Sequence, residues 1–193
     1  MKKTLVAVAV ALLTGCASEP KEPAAPPVDP NVAQARGITK NFADSLRSEL
    51  TAGMQAGGPT NAIAVCKDKA PAIAKAEKDK SGWQKVGRTS LKLRNPSNEP
   101  DDWELAVLKK FDQRKAAGED PAKIEYSEVV AAGGKKTFRY MKAIPTQEVC
   151  LACHGEKIDK ATAAKRAKLY PKDKARGFKV GDLRGAFTMT KDL

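Results

Sequence analysis

Cys150-Leu151-Ala152-Cys153-His154 is a C-x-x-C-H stretch that holds the only histidine of a 193-residue chain. Two cysteines separated by two residues can reach both vinyl groups of one porphyrin, and the residue that follows sets an imidazole under the iron. The stretch therefore reads as an attachment site for one covalent haem c, with Cys150 and Cys153 as thioether anchors and His154 as proximal ligand. Two other readings compete. Cys66, Cys150, Cys153 and His154 supply four donors of the type that hold tetrahedral zinc, although adjacent Cys153 and His154 would crowd one ion. A thioredoxin-like dithiol would want a long helix after the pair, whereas Gly155 and a lysine-rich segment follow.

Working outward, Ile124–Val130 and Lys136–Ile144 flank Ala131-Ala132-Gly133-Gly134, which predicts a hairpin whose second strand runs through Pro145 into the motif. Further strands are expected from about Lys85 to Leu93 and over Leu183–Thr190. Ile38, Phe42, Leu46 and Leu50 recur every four residues, which predicts a long amphipathic helix over Val32–Gly57, stopped by Gly57-Gly58-Pro59. Thr60 or Asn61 is positioned to cap a second helix with Ala62, Cys66 and Ala70 on one face. Pro71 should end or kink that helix, leaving Cys66 near its terminus. A third helix, opened by Pro100 in its first turn, carries Trp103, Val107 and Phe111 on one face and ends at Gly118. The pattern is that of an α+β domain over residues 32–193: an antiparallel sheet flanked by helices and preceded by a long N-terminal helix.

Residues 1–15 have Lys2-Lys3 followed by an apolar run and read as a lipoprotein signal peptide. Leu13-Thr14-Gly15-Cys16 resembles the bacterial lipoprotein box, which would make Cys16 the lipidated residue. The expected location is periplasmic, with the lipid anchor on the inner face of the outer membrane. Residues 17–31 carry five prolines and few large apolar side chains, so the segment 16–31 is a tether that cannot bury a core.

With 41% hydrophobic and 30% charged residues, the chain can build one modest core. Its formal charge of +12 points to an anionic partner, which outside the cytoplasm means an acidic protein or lipid rather than nucleic acid. Residues 157–179 hold nine basic residues against Asp159 and Asp173. Such a run is most simply a solvated face; if it docks, an acidic redox partner is what it would steer.

A single histidine excludes bis-histidine ligation within one chain, so the sixth iron position falls to Cys66, a methionine (Met54, Met141 or Met189), a lysine, or none. Met141 lies on the strand leading into the motif, but strand methionines usually fill core gaps, and Cys66 could equally be a buried inert thiol. A thiolate lowers the potential and a thioether raises it. Haem propionates need cationic or hydrogen-bonding partners, for which Arg88, Arg94, Tyr140 and Lys142 are candidates.

Several separate motifs carry a family resemblance. They are Asn61–Cys66 with Ala70-Pro71, Gly87–Lys92 with Arg94-Asn95-Pro96, Phe138–Lys142, Cys150–Gly155, and Tyr170-Pro171 through Gly185-Ala186-Phe187. In this order and spacing the chain resembles the PAS-like single-haem c family, over nearly all of residues 35–190. The resemblance implies a PAS-like antiparallel sheet flanked by helices. It also implies a proximal histidine and a distal cysteine, here His154 and Cys66. The expected activity is one-electron transfer without catalysis. The alternative is a haem-based redox or diatomic-gas sensor that signals through a separate partner. Peroxidase chemistry is disfavoured because no second histidine can act as distal base.

Overall fold

The computed structural model describes residues 28–193. The signal peptide expected at 1–15, Cys16 and nearly all of the tether lie outside the described residues. The first element, α1 (Pro30–Ser81), is two helical arms joined at Gly57 (φ −176°, ψ 27°) and Gly58 (φ 65°, ψ −163°). Only glycine adopts the Gly58 conformation readily, so the predicted stop becomes a fold-back. The Asn61 side chain donates to the Gly53 carbonyl (3.1 Å), and Lys69 of the second arm reaches Glu49 of the first (3.4 Å). A Cβ at Gly53 would stand 2.8 Å from Cγ2 of Val65, so the absent side chain there lets the arms meet.

Two helix expectations are corrected. Among the described residues neither Thr60 nor Asn61 makes a capping hydrogen bond: the Asn61 side chain ties the arms together, and the Thr60 hydroxyl meets Thr162. Pro71 lies inside the second arm, which continues to Ser81 and stops at Gly82 (φ 73°). The proline is tolerated because Lys67, Lys69 and Pro71 are all exposed, so water can take the carbonyl that lost its donor. Cys66 therefore sits well inside a helical arm and not at a terminus.

Four strands follow: β1 (Lys85–Thr89), β2 (Glu125–Ala132), β3 (Lys135–Pro145) and β4 (Leu183–Asp192). They pair antiparallel in the order β1-β4-β3-β2. The hairpin turn is Gly133-Gly134 alone, both with positive φ (58° and 76°), the backbone that a two-residue hairpin loop favours. β1 stops at Thr89, short of the expected Leu93. Ser90 leaves the ladder, its hydroxyl donating to the Arg184 carbonyl (2.8 Å) while its oxygen accepts from the Lys92 amide (3.1 Å).

Strand alternation buries both sheet faces. Val86, Phe138, Tyr140, Phe187 and Met189 pack with Trp83 against Ala35, Ile38 and Phe42 of α1. On the other face Met141, Ala143 and Ala186 meet Val107, Leu108 and Phe111 of α2 (Asp102–Ala116). Asp101 and Glu104 form a capping box at the start of α2, so Pro100 precedes the cap instead of lying in the first turn. Glu104 is fully buried and accepts from Lys85 and Thr188, both at 2.5 Å, which pins α2 to the sheet. The α+β class, the antiparallel sheet, the flanking helices and the long N-terminal helix are all as expected. Among the described residues, no helix is long and apolar enough to cross a membrane.

Candidate haem site

β3 ends in a bulge at Ile144/Pro145, and Thr146 is then held by backbone hydrogen bonds with Asp182 (2.7 Å) and Gly181 (2.9 Å). A tight turn at Glu148–Cys150 feeds α3 (Leu151–His154), so the C-x-x-C-H residues lie on about one and a half helical turns. Cys150 and Cys153 fall one turn apart, both half-buried free thiols. Gly155 stops the turn: a Cβ there would lie 2.7 Å from the Leu151 carbonyl oxygen.

His154 Nδ1 lies 2.9 Å from the carbonyl of Ala175. Donation to that oxygen fixes the tautomer with the lone pair on Nε2, as in metal-binding histidines. Phe178 meets the imidazole edge-on at 6.1 Å, and its amide donates to the His154 carbonyl (3.0 Å). Burial, then the charges of Arg184 and Arg94, hold His154 well below its ordinary pKa, against the opposing hydrogen bond to Ala175. The ring is neutral at neutral pH, the form that binds metal.

Three arginines converge here. Arg94, 6% exposed, donates to the Cys153 carbonyl (2.7 Å) and lies 3.2 Å from His154 Nδ1. Its counter-ion is Asp173 (3.5 Å), which also takes Arg166 of α4 (Lys160–Leu169) at 3.2 Å. Arg184 Nε donates to His154 Nε2 (3.3 Å). Burial, reinforced by Arg94 and Arg88, lowers Arg184 to about 10, with Asp173 and Cys66 opposing. Arg88 is likewise lowered by burial, with Cys66 and Tyr170 opposing. Among the described residues, neither Arg88 nor Arg184 forms a salt bridge.

Half-buried Cys66 belongs to this neighbourhood. A charge on its sulfur is felt at Arg88, Cys153, Tyr170 and Arg184. Burial first, and Cys66 second, push Tyr170 up to about 12. The second arm of α1 meets the motif and α4 directly: Cys153 Sγ is 4.0 Å from the Pro59 carbonyl, and Thr60 meets Thr162 at 3.1 Å.

Of the four propionate candidates, Arg88 and Arg94 are brought to the histidine. Tyr140 and Lys142 gather elsewhere with Glu125, to which the Tyr140 hydroxyl donates (2.7 Å) and whose charge Lys142 feels. Met141 is fully buried in the α2-facing core, and Met189 in the α1-facing one. Among the described residues, no three histidine, cysteine or acidic side chains are gathered to hold a metal ion, so the four-donor zinc site does not form. Arg184, Asp173, Ala175 and Phe178 were not foreseen as site residues. Only Arg184, the basic residue next to Gly185-Ala186-Phe187 near the start of a strand, could have drawn notice.

A four-stranded antiparallel sheet with helices on both faces and a C-x-x-C-H turn docked on its α1 side defines a small PAS-like α+β domain. The chain belongs to the Tll0287-like family, whose family model matches residues 26–191. It is similar to the crystal structure of the cyanobacterial heme-protein Tll0287, at 26% identity and a TM-score of 0.65, over 86% of this chain and 97% of that one. No curated protein matches the chain. The family resemblance read from the sequence therefore holds.

Proposed function

We propose that this protein is a periplasmic, lipid-anchored monohaem cytochrome of the c type. It would bind one covalent haem through Cys150 and Cys153, with His154 proximal and Cys66 distal, and act as a one-electron carrier rather than a catalyst. Similarity to a haem protein supports the cofactor class. The observation that carries the reading is the pairing of a neutral imidazole, its Nδ1 at the Ala175 carbonyl, with two half-buried guanidiniums that form no salt bridge among the described residues.

Burying unpaired guanidinium charge is costly. Haem brings two propionates, and Arg88 and Arg184 would each take one in a charge-assisted hydrogen bond. The residues present thus fit the group. When bound, it supplies one iron that cycles between ferric and ferrous states.

This chain's residues do the rest. Ala175 orients the imidazole, Phe178 walls it, Arg94 braces the Cys153–His154 backbone, and Asp173 balances Arg94. A sensor function rests on the PAS-like fold alone, which does not fix function.

The test is a denaturing gel of protein matured with the haem-attachment machinery. Haem stain that survives boiling in detergent, and disappears in a Cys150→Ala/Cys153→Ala variant, is expected. A colourless mature protein would sink the proposal.

A further inference from the structure

Beside the C-x-x-C-H turn lies an open groove of about 280 Å³. Leu151, Phe178 and Val180 give it an apolar lining, and Lys157 and Lys179 stand beside them. Leu151 sits between the two cysteines, and Phe178 meets the His154 ring edge-on at 6.1 Å. The groove is therefore one side chain away from the proximal ligand. Val180 is exposed at its edge (57%), Leu151 is half-buried and Phe178 is buried, and Val149, next to Cys150 in the chain, is 50% exposed.

The surroundings are cationic. Lys92 holds its ammonium 5.2 Å from the Phe178 ring centre. The acidic residue at the groove is Glu156, 3.7 Å from Lys179, and both are largely exposed, so the pair is weak. Of the basic residues in 157–179, all but Arg166 are exposed. The segment that carries them is the one that braces His154 through Ala175 and Phe178.

We propose that this groove is the docking surface for an acidic redox-partner protein. The partner would set an apolar side chain against Leu151, Phe178 and Val180, and carboxylates against Lys157 and Lys179. Apolar contact supplies the affinity and the lysines supply steering and register. A concavity of side-chain size favours a protein knob over a bilayer, which would want a protruding apolar face. The inference rests on the haem reading only for its reason: docking here brings the partner one ring from the iron ligand.

The test uses the haem-loaded ferrous protein, followed by NMR during titration with a pentapeptide of one leucine flanked by acidic residues. Vesicles of phosphatidylglycerol are titrated in parallel. Saturable shifts confined to Leu151, Phe178, Val180 and the neighbouring lysines are expected. They should weaken roughly tenfold in a Lys157→Glu/Lys179→Glu variant and by less than about twofold in Lys135→Glu/Lys136→Glu, which carries the same charge change on the β2–β3 hairpin. Equal weakening in both variants, shifts scattered over all exposed lysines, or binding of vesicles without binding of peptide would overturn it. Failure of the haem reading would show separately, as protein that takes no haem stain.

Discussion

The Nε of Arg184 stands 3.3 Å from Nε2 of His154, the nitrogen a proximal ligand gives to iron. Ser90 Oγ and the Lys92 carbonyl hold the other end of the guanidinium at 3.3 and 3.4 Å. If haem were held through His154, Arg184 would have to turn from the imidazole towards an anion, and a propionate is the anion haem would provide. Arg184→Gln should still stain for haem. Its midpoint potential should fall by roughly 30–60 mV, because losing a cation beside the iron favours the ferric charge, and a one-electron couple moves ~59 mV per tenfold change. Potentiometric titration decides, and an unchanged potential would place the guanidinium away from the cofactor.

Cys66 and Met141 make opposite predictions for the sixth ligand. Cys66 lies in the arginine-rich neighbourhood of His154, whereas Met141 is fully buried against Val107, Leu108 and Phe111. Cys66→Ser should change the low-spin spectrum and raise the potential on the order of 0.1 V, a modest part of the ~0.8 V that axial ligands span. Met141→Leu should leave both unchanged and cost less than about 1.5 kcal/mol of stability, as volume-conserving core swaps do.

Much of this arrangement was legible in the residues. The C-x-x-C-H motif, both central strands and the apolar stripe of α1 have short-range patterns, and each lies where its pattern put it. The limits of legibility are physical. Pro71 looked like an end or a kink because a proline's local cost is visible in sequence, while the exposure that makes the cost bearable is not. Arg184 and Ala175 act on His154 through tertiary contacts that leave no periodic trace. Tyr140 and Lys142 were plausible by type, but strand register sends them to Glu125 and not to the histidine.

Gly185 should be intolerant of any side chain. It has φ 155°, and a Cβ would lie 2.3 Å from the Thr89 carbonyl oxygen, a backbone atom that cannot swing aside. Gly185→Ala should destabilise by about 3 kcal/mol, combining strained backbone with overpacking. For a domain of this size that is a fall of roughly 6–12 °C in Tm. Because Gly185 follows Arg184, the variant should also shift the haem potential.

Glu125 links α1 to the sheet and sets a pH dependence. It accepts from Arg36 and from the Tyr140 hydroxyl (2.7 Å). Burial alone would raise its carboxyl, but the hydrogen bonds from Arg36 and Tyr140 outweigh burial and hold it below the usual range. A depressed carboxyl contributes stability that is present above the unfolded pKa of ~4.3 and lost as pH falls through the folded value. Wild type should therefore exceed Glu125→Gln by roughly 1 kcal/mol at pH 7, modest because Arg36 is half exposed. Denaturant titrations carried down past the depressed folded pKa should bring the two together, whereas a gap that persists in strong acid would show that the contribution is not ionic.

Asp173 is the keystone of the charge balance behind the histidine. It is 6% exposed and serves two buried guanidiniums, Arg94 at 3.5 Å and Arg166 at 3.2 Å. Asp173→Asn keeps the shape but removes the charge, leaving two buried cations unpaired, which should cost about 3–5 kcal/mol. If the loss comes from uncompensated charge, Asp173→Asn/Arg166→Met should recover part of it by removing one orphaned cation. If it came from packing, the second substitution would only add to the damage. Arg94 also donates to the Cys153 carbonyl at 2.7 Å, so its release should loosen the C-x-x-C-H turn. Haem stain per mole of protein should fall in Asp173→Asn and recover in the double variant in step with stability, as followed by urea denaturation of each.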